Sequence, residues 1–178
     1  MPGPGSIYTG TKLRTRPSPL YDSYSVAAAA NVNPTLVLRL FSTNVEGQGG
    51  IGPDTTNMQL AGQLPGGTSM NVYSLRVVFF AAAADIVSFC QNNSCRLYAG
   101  GIKLLDAPPE YWAGGAGVAQ SANNGVADPR AIVGFKSDPI QLTDGIVFNV
   151  TFNAKATFAA SAAFFMRVYL DGEFQEPV

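Results

Sequence analysis

Histidine is absent from this chain of 178 residues, and cysteine occurs only twice, at Cys90 and Cys95. Without histidine the sequence excludes a Ser-His-Asp triad, a Cys-His pair and any metal site built on imidazole. Two cysteines alone do not make a zinc site. They predict either a disulfide, if Gln91–Ser94 forms a turn between two strands, or a pair of small, half-buried thiols.

Charged residues are also scarce, at 13% of the chain, whereas ordinary soluble domains contain roughly 25%. The formal net charge is −1, so the chain as a whole lacks the basic field that holds nucleic acid. We therefore predict no sequence-specific nucleic-acid binding. Because like charges keep free monomers apart in solution, so little charge indicates a surface largely covered by other molecules.

Long apolar runs are missing as well. The longest, Val77–Ala84, is followed by the charged Asp85 and is too short for a transmembrane helix of ~18–20 residues. Met1–Gly10 lacks the apolar segment of a signal peptide. Apolar residues nevertheless make up 47% of the chain, which excludes intrinsic disorder and suits one domain with a sizeable core.

The chain does contain many segments in which apolar and polar residues alternate. The longer ones are Thr35–Phe41, Met70–Phe80, Ile146–Asn153 and Phe164–Asp171, and shorter strands are predicted at Cys95–Ala99, Ile102–Leu105, Ile132–Phe135 and Ile140–Leu142. The alternation places Tyr73 inward, and it places Phe41, Phe165, Arg167 and Tyr169 outward. Many short half-buried strands with Gly, Pro, Asn and Asp turns predict an all-β sandwich or barrel.

One segment, Ala81–Gln91, is predicted to be a short helix, with an Ala-rich strand as the alternative. Residues 1–25 are predicted to form an extended arm outside a single domain of residues 26–178, because prolines and glycines interrupt regular hydrogen bonding there.

The predicted arm is basic, since Lys12, Arg14 and Arg16 precede the first acidic residue. These side chains predict either a solvated tail or a contact with a neighbouring subunit or an anionic surface such as lipid headgroups. Tyr111 and Trp112, between two prolines and two glycines, predict either an interface anchor or a lid on the core.

No residues are arranged for catalysis. Asp171 and Glu173 are the only close pair of carboxylates, and Asp-Gly-Glu at a strand end is more typical of a turn than of a glycosidase. The glycine-rich Gly47–Gly52 is not followed by the lysine and helix of a phosphate-binding loop. We predict no enzymatic activity, no cofactor and no metal site.

Several stretches resemble one family. They are an LF that ends at Phe41, TNMQLAGQLPGGTSMNVYSLRVVFF (Thr56–Phe80), LYAGGIKLLDAPPEYWAGGAG (Leu97–Gly117) and RVYLDGEFQEPV (Arg167–Val178). In these stretches the chain resembles the small single-jelly-roll major coat proteins of tailless icosahedral phages with an internal membrane, of the Thermus and halophilic virus type. The resemblance covers residues 35–178, and turn residues dominate its motifs.

The resemblance implies an eight-stranded jelly roll that forms dimers or larger capsomers. It also implies a second, larger coat protein and an internal lipid membrane as partners, a location in the virion, and no catalytic residues. The expected function is therefore that of a capsid protein that assembles with copies of itself into an icosahedral shell. Two alternatives share the scaffold. One is a carbohydrate- or receptor-binding spike module, for which Tyr111 and Trp112 are the candidate platform, and the other is a decoration protein of a tailed phage.

Overall fold

The described part of the chain consists almost entirely of short strands. A computed structural model describes residues 13–27, 31–32, 37–80, 83–112, 134–135 and 137–177. In chain order these residues form β1 (Leu13–Pro17), β2 (Leu20–Val26), β3 (Asn31–Val32), β4 (Val37–Leu40), β5 (Ser69–Phe80), α1 (Ala83–Asn92), β6 (Asn93–Ala99), β7 (Ile102–Ala107), a 3₁₀ helix (Pro109–Trp112), β8 (Ile140–Thr143), β9 (Phe148–Ala154), β10 (Phe158–Ala159) and β11 (Phe164–Pro177). Of the predicted strands, Ile132–Phe135 lies mostly outside these residues, and its Gly134 forms an isolated bridge with Ser74.

Two antiparallel sheets, one of five strands and one of four, form a sandwich. In the first, the β5–β11 sheet, β1 and β2 both pair with one side of β11, each with a different part of it. On the other side β11 pairs with β5, and β5 pairs with β8. In the second, the β6–β9 sheet, the order is β4, β9, β6 and β7. With β1 and β2 counted as one strand, the first strand pairs with the last, the second with the second-last, and so on inward. This is the path of a jelly roll, and it confirms the predicted all-β fold with one short helix.

The core lies between the sheets, where the predicted alternation supplies its side chains. Phe148, Val150 and Phe152 of β9 are fully buried, as are Met166 and Val168 of β11. The alternation in Ile146–Asn153 and Phe164–Asp171 therefore predicts the inner faces of two central strands correctly. Both strands pair on each side within their sheets, and their inner faces belong to one core shared by the two sheets.

Helix α1 closes one end of the sandwich. Its Phe89 is fully buried, and the ring centroid lies 5.5 to 6.0 Å from those of Phe79, Phe152, Phe158 and Phe164. The predicted helix is confirmed. Alanine favours helix over strand, and this aromatic cluster holds the helix on the core.

The arm boundary is a correction. The sequence predicts that residues 1–25 lie outside the domain, but β1 and β2 form an edge of the β5–β11 sheet. Prolines are tolerated on edge strands, where a missing N–H disrupts no ladder. The two prolines here flank Ser18, whose N–H donates to the Gly172 carbonyl at 3.2 Å and continues the pairing between β1 and β2. Residues 1–12, and Lys12 with them, lie outside the described residues.

A bulge changes which side chains of β5 face the core. Ser74 lies opposite Asp171 and Val72 lies opposite Gly172, so Tyr73 is an extra residue between the two pairs. The prediction that Tyr73 faces inward is wrong, because Tyr73 is half-buried while Ser74 beside it is buried. A period of two cannot predict a bulge, since the inserted residue reverses the alternation on one side of it.

Phe41 is the second side chain whose predicted direction is wrong. It is fully buried, whereas the alternation places it outward. The backbone at Phe41 adopts a left-handed conformation, with φ at 64°, so the chain turns as it leaves β4 and directs the ring inward. The cost of this conformation for a bulky residue is offset by burial of the ring, which lies 5.9 Å from the Phe148 ring.

Candidate interaction surfaces

The outer side of the β5–β11 sheet carries a cluster of aromatic rings and arginines. We call it the aromatic face, and it comprises Tyr21, Arg76, Phe80, Phe165, Arg167 and Tyr169. Phe80 and Phe165 are opposite each other in register. Their rings stack at 4.2 Å, and they remain 46% and 39% exposed.

Arg76 is neutralised within this face. Its guanidinium donates to both carboxylate oxygens of Asp171, at 2.6 and 2.8 Å, and lies 4.6 Å from the centre of the Tyr169 ring. The hydrogen bond to Asp171 raises the pKa of Arg76 above its ordinary value. The Ser74 hydroxyl also donates to Asp171, at 2.9 Å.

Asp171 and Glu173 accept hydrogen bonds from side chains of the neighbouring strand β5. The predicted turn at Asp171–Glu173 is wrong, because both residues lie inside the long strand β11. The Tyr73 hydroxyl donates to Glu173 at 2.8 Å. The two carboxylates bind different partners and do not converge on a cleft, as a glycosidase would require.

Arg167 differs from Arg76 because its charge meets no carboxylate among the described residues. Its Nε donates to the Ser23 hydroxyl at 2.9 Å, and a second nitrogen donates to the carbonyl of Asp54. The guanidinium carbon lies 5.4 Å from the Tyr21 ring centre and 5.9 Å from that of Phe80. The aromatic face thus includes a cation held by neutral groups and rings.

The sequence predicts part of the aromatic face. The alternation in β11 places Phe165, Arg167 and Tyr169 outward, as observed. Their partners Tyr21 and Phe80 come from distant parts of the chain, and only the register across three strands brings them together. Three outward bulky residues on a central strand are the signal that could have predicted an aromatic surface.

The outer side of the β6–β9 sheet is chemically different. Asp106 on the edge strand β7 accepts hydrogen bonds from Lys103 at 2.7 Å and from Arg96 at 3.2 Å. The bond from Lys103 contributes most to lowering the pKa of Asp106 below its usual 3.8. Charges of both signs on an edge strand also disfavour pairing with another chain.

A third surface, which we call the end patch, lies at one end of the sandwich and comprises Leu60, Ile102 and Val147. These side chains are 41%, 66% and 58% exposed. Gly100, in the turn before β7, donates its N–H to the Val147 carbonyl at 2.9 Å. The Phe148 N–H, next to Val147 in the chain, donates to the Gly62 carbonyl at 2.8 Å. These bonds tie three chain segments together beneath the exposed aliphatic groups.

Arg14 and Arg16, two of the basic residues predicted to make a contact, lie in different environments. Arg14 is exposed on β1, whereas Arg16 forms an ion pair with Glu176 at 3.2 Å and lies over the Phe174 ring at 5.2 Å. Arg16 is therefore bound within the domain. The sequence reasoning overlooked that acidic residues near the C-terminus pair with the basic N-terminal strand.

Tyr111 and Trp112 lie on the 3₁₀ helix, with their rings edge to face at 4.8 Å. Trp112 is only 4% exposed and belongs to the core, whereas Tyr111 is 53% exposed. The buried Trp112 Nε1 has no hydrogen-bond partner within the described residues. The pair is not an exposed aromatic platform, because only one of its two rings reaches solvent.

Cys90 and Cys95 are both free and buried. The disulfide alternative is wrong, because Gln91 lies in α1 and Ser94 in β6, so the predicted turn between two strands does not exist. The thiols are more buried than the alternative prediction states, at 3% and 1% exposure. Burial raises the pKa of Cys90 to about 12 and raises that of Cys95 as well, so both thiols stay protonated at neutral pH.

No group of three His, Cys, Asp or Glu residues that could hold a metal ion occurs in the part of the chain that the structure describes. Nor is any helix within the described ranges long and apolar enough to cross a membrane. Neither a family model nor a curated protein matches the chain.

Proposed function

We propose that this chain is a structural virion protein, a coat subunit that assembles with copies of itself into an icosahedral shell. The end patch is the observation that carries this proposal. Leu60 and Val147 on loops, and Ile102 at the start of β7, expose aliphatic groups on segments that backbone hydrogen bonds hold in place. Grouped apolar side chains on a surface are typical of protein–protein contacts, and preformed loops lose little conformational entropy on binding.

Low charge supports the same proposal. With a net charge of −1, neighbouring copies repel each other little. A patch at one end of a rigid sandwich would contact a different surface of its neighbour, and such heterologous contacts close into rings and shells by symmetry. Each contact can be weak, because a subunit in a shell makes several at once.

The proposal extends to two further partners. The family resemblance favours a second, larger coat protein and a lipid membrane beneath the shell. Arg14 is exposed on β1 and follows Lys12 by two residues, so this short basic segment would meet anionic headgroups or a neighbouring subunit. Arg16 is not included, because it is paired with Glu176. The role needs neither a cofactor nor catalysis.

Assembly can be measured directly on the purified chain. Size-exclusion chromatography with light scattering should give a mass that rises with protein concentration. Changing both Ile102 and Val147 to Ser should lower that mass towards the monomer. The matched control is Val37→Ser, which removes an exposed valine from the β4 edge of the same sheet and should assemble normally.

A strict monomer at the highest concentrations would contradict the coat-protein proposal. Normal assembly of the Ile102→Ser, Val147→Ser variant would remove the end patch as the contact. Electron microscopy of the source particle gives the most direct answer, because a coat protein tiles the shell in many copies.

A further inference from the structure

A cleft of about 470 Å³ lies beside the aromatic face. Its walls come from β2, from two parts of the long connection between β4 and β5, and from β11. They include Ser25, Thr43, Asn44, Asp54, Thr55 and Phe165. Most of the lining side chains are uncharged and polar, and two are aromatic, Tyr24 and Phe165.

Phe165 forms an apolar wall of the cleft. Its register neighbours on the two adjacent strands are Phe80 and Ser25. Phe80 covers one face of the ring, with the two planes 16° apart. The remaining face is on the Ser25 side, and Ser25 also lines the cleft. A flat apolar surface is therefore available at a fixed position.

The polar wall offers groups that can both donate and accept hydrogen bonds. The hydroxyls of Ser25, Thr43 and Thr55 make no side-chain hydrogen bond within the described residues. A hydroxyl supplies one donor and two acceptor sites. These three groups can therefore bind a ligand without breaking a bond within the described part of the protein.

Asn44 is fixed in its orientation by a buried carboxylate. Its amide nitrogen donates to Asp22 Oδ1 at 2.8 Å and to the Ser23 carbonyl at 3.1 Å. Asp22 is fully buried and also accepts from the Phe41 N–H at 2.6 Å. The amide oxygen of Asn44 remains as an acceptor, on a loop whose geometry is set before any ligand binds.

The charges around the cleft bear on which ligand it takes. Among its lining residues Asp54 is the one charged side chain, and its carboxylate disfavours an anion such as phosphate. The cation beside the cleft, Arg167, already donates to the Ser23 hydroxyl and to the Asp54 carbonyl. A wholly apolar ligand would leave the desolvated hydroxyls unpaired, which costs free energy. The ligand that fits is neutral and rich in hydroxyls, with one apolar face.

We propose that this cleft binds a neutral saccharide. The C–H face of one sugar ring packs against Phe165, and the sugar hydroxyls bond to Ser25, Thr43, Thr55 and the Asn44 amide oxygen. This activity goes beyond assembly, because it would let a coat subunit contact glycans. The cleft also differs from the end patch, which is aliphatic.

The test uses the full chain and defined sugars. Saturation-transfer NMR with the methyl glycosides of glucose, galactose, mannose and N-acetylglucosamine should show transfer to the ring protons of at least one sugar. We expect millimolar affinity, because the cleft offers few contacts. Phe165→Ala should weaken binding about tenfold, and Thr43→Val, which removes only a hydroxyl, should weaken it several-fold.

The matched control is Tyr111→Ala, which removes an exposed ring that does not line the cleft and should bind normally. The proposal is overturned if none of the four sugars binds, if Phe165→Ala binds as well as the unchanged protein, or if inorganic phosphate binds instead. Light scattering on the same samples separates the two proposals. A monomer that binds sugar would contradict only the coat function, whereas an assembling chain that binds none would contradict only the saccharide site.

Discussion

The two sheets of the sandwich are stabilised in different ways. Both sheets contain a register shift, but among the described residues the β5–β11 sheet alone has a fully buried carboxylate and a bidentate ion pair. The β6–β9 sheet has a regular central strand, β9, with Phe148, Val150 and Phe152 fully buried on its inner side, and its ion pairs lie on the outer side at an edge. Single atoms should therefore matter more in the first sheet, where polar geometry is specific, than on the surface of the second.

The most demanding position in the β5–β11 sheet is Gly172. A Cβ at this residue would collide with the Asn71 carbonyl, which belongs to the ladder between β5 and β11. We expect Gly172→Ala to lower the free energy of unfolding by about 4 kcal/mol or to prevent folding, because backbone must move in the middle of two long strands. Urea denaturation followed by circular dichroism measures the loss.

Gly66→Ala provides the matched control. An added Cβ at Gly66 meets nothing within 4 Å, so the expected change is within about 0.5 kcal/mol. Equal losses in the two variants would mean that the bulge does not require glycine, and the contrast between the sheets would lose its main example.

The buried carboxylate of Asp22 should give the next largest effect. Asp22→Ala removes the acceptor for the Phe41 N–H and the Asn44 amide. Leaving these buried donors unpaired should cost about 2–3 kcal/mol. The same substitution should weaken the proposed saccharide binding, because Asn44 loses its anchor.

The pH dependence of that loss has a defined sign. Burial raises the pKa of Asp22 above 3.8, although its hydrogen bonds oppose the shift. The contribution of a group with a raised folded-state pKa is fully present below the unfolded pKa and falls as the pH rises through the folded value. The difference between the unchanged protein and Asp22→Ala should therefore be larger at acid pH than at neutral pH. A difference that grows with pH would contradict the raised pKa.

The sequence predicts best where the sandwich is regular. The inner residues of β9 and of the first half of β11 follow from alternation alone, because strands in the middle of a sheet bury one entire face. The short helix follows from its alanines, although its burial depends on Phe89 meeting rings from four other segments.

The sequence predicts poorly where two distant segments fix each other. The bulge at Tyr73 depends on the register between β5 and β11, and the strands β1 and β2 depend on an edge that β11 offers. The cleft beside Phe165 combines residues from four parts of the chain. None of these contacts leaves a local pattern, so alternation and turn residues could not predict them.

Arginines on the two outer faces allow a direct comparison of the sheets. Arg76 makes two hydrogen bonds to Asp171 and stacks on Tyr169, and the side chains of the ion pair are 23% and 29% exposed. Arg96 makes one bond to Asp106, with both side chains 32% exposed. We expect Arg76→Met to cost about 1–2 kcal/mol and Arg96→Met about 0.5 kcal/mol. Thermal and urea unfolding of both variants would measure the difference, and equal losses would contradict it.

A similarly small effect is expected at Asp106. The hydrogen bond from Lys103 lowers the pKa of Asp106 below 3.8. The contribution of the ionised Asp106 to the free energy of unfolding is therefore present above pH 3.8, and it disappears as the pH falls through the folded-state pKa. Asp106→Asn should cost less than about 1 kcal/mol at neutral pH, and less still at high salt, because the pair is exposed to solvent. Its pH slope should be opposite to that of Asp22→Ala. A loss as large as that of Asp22→Ala and insensitive to salt would mean that the β6–β9 sheet also depends on specific polar geometry.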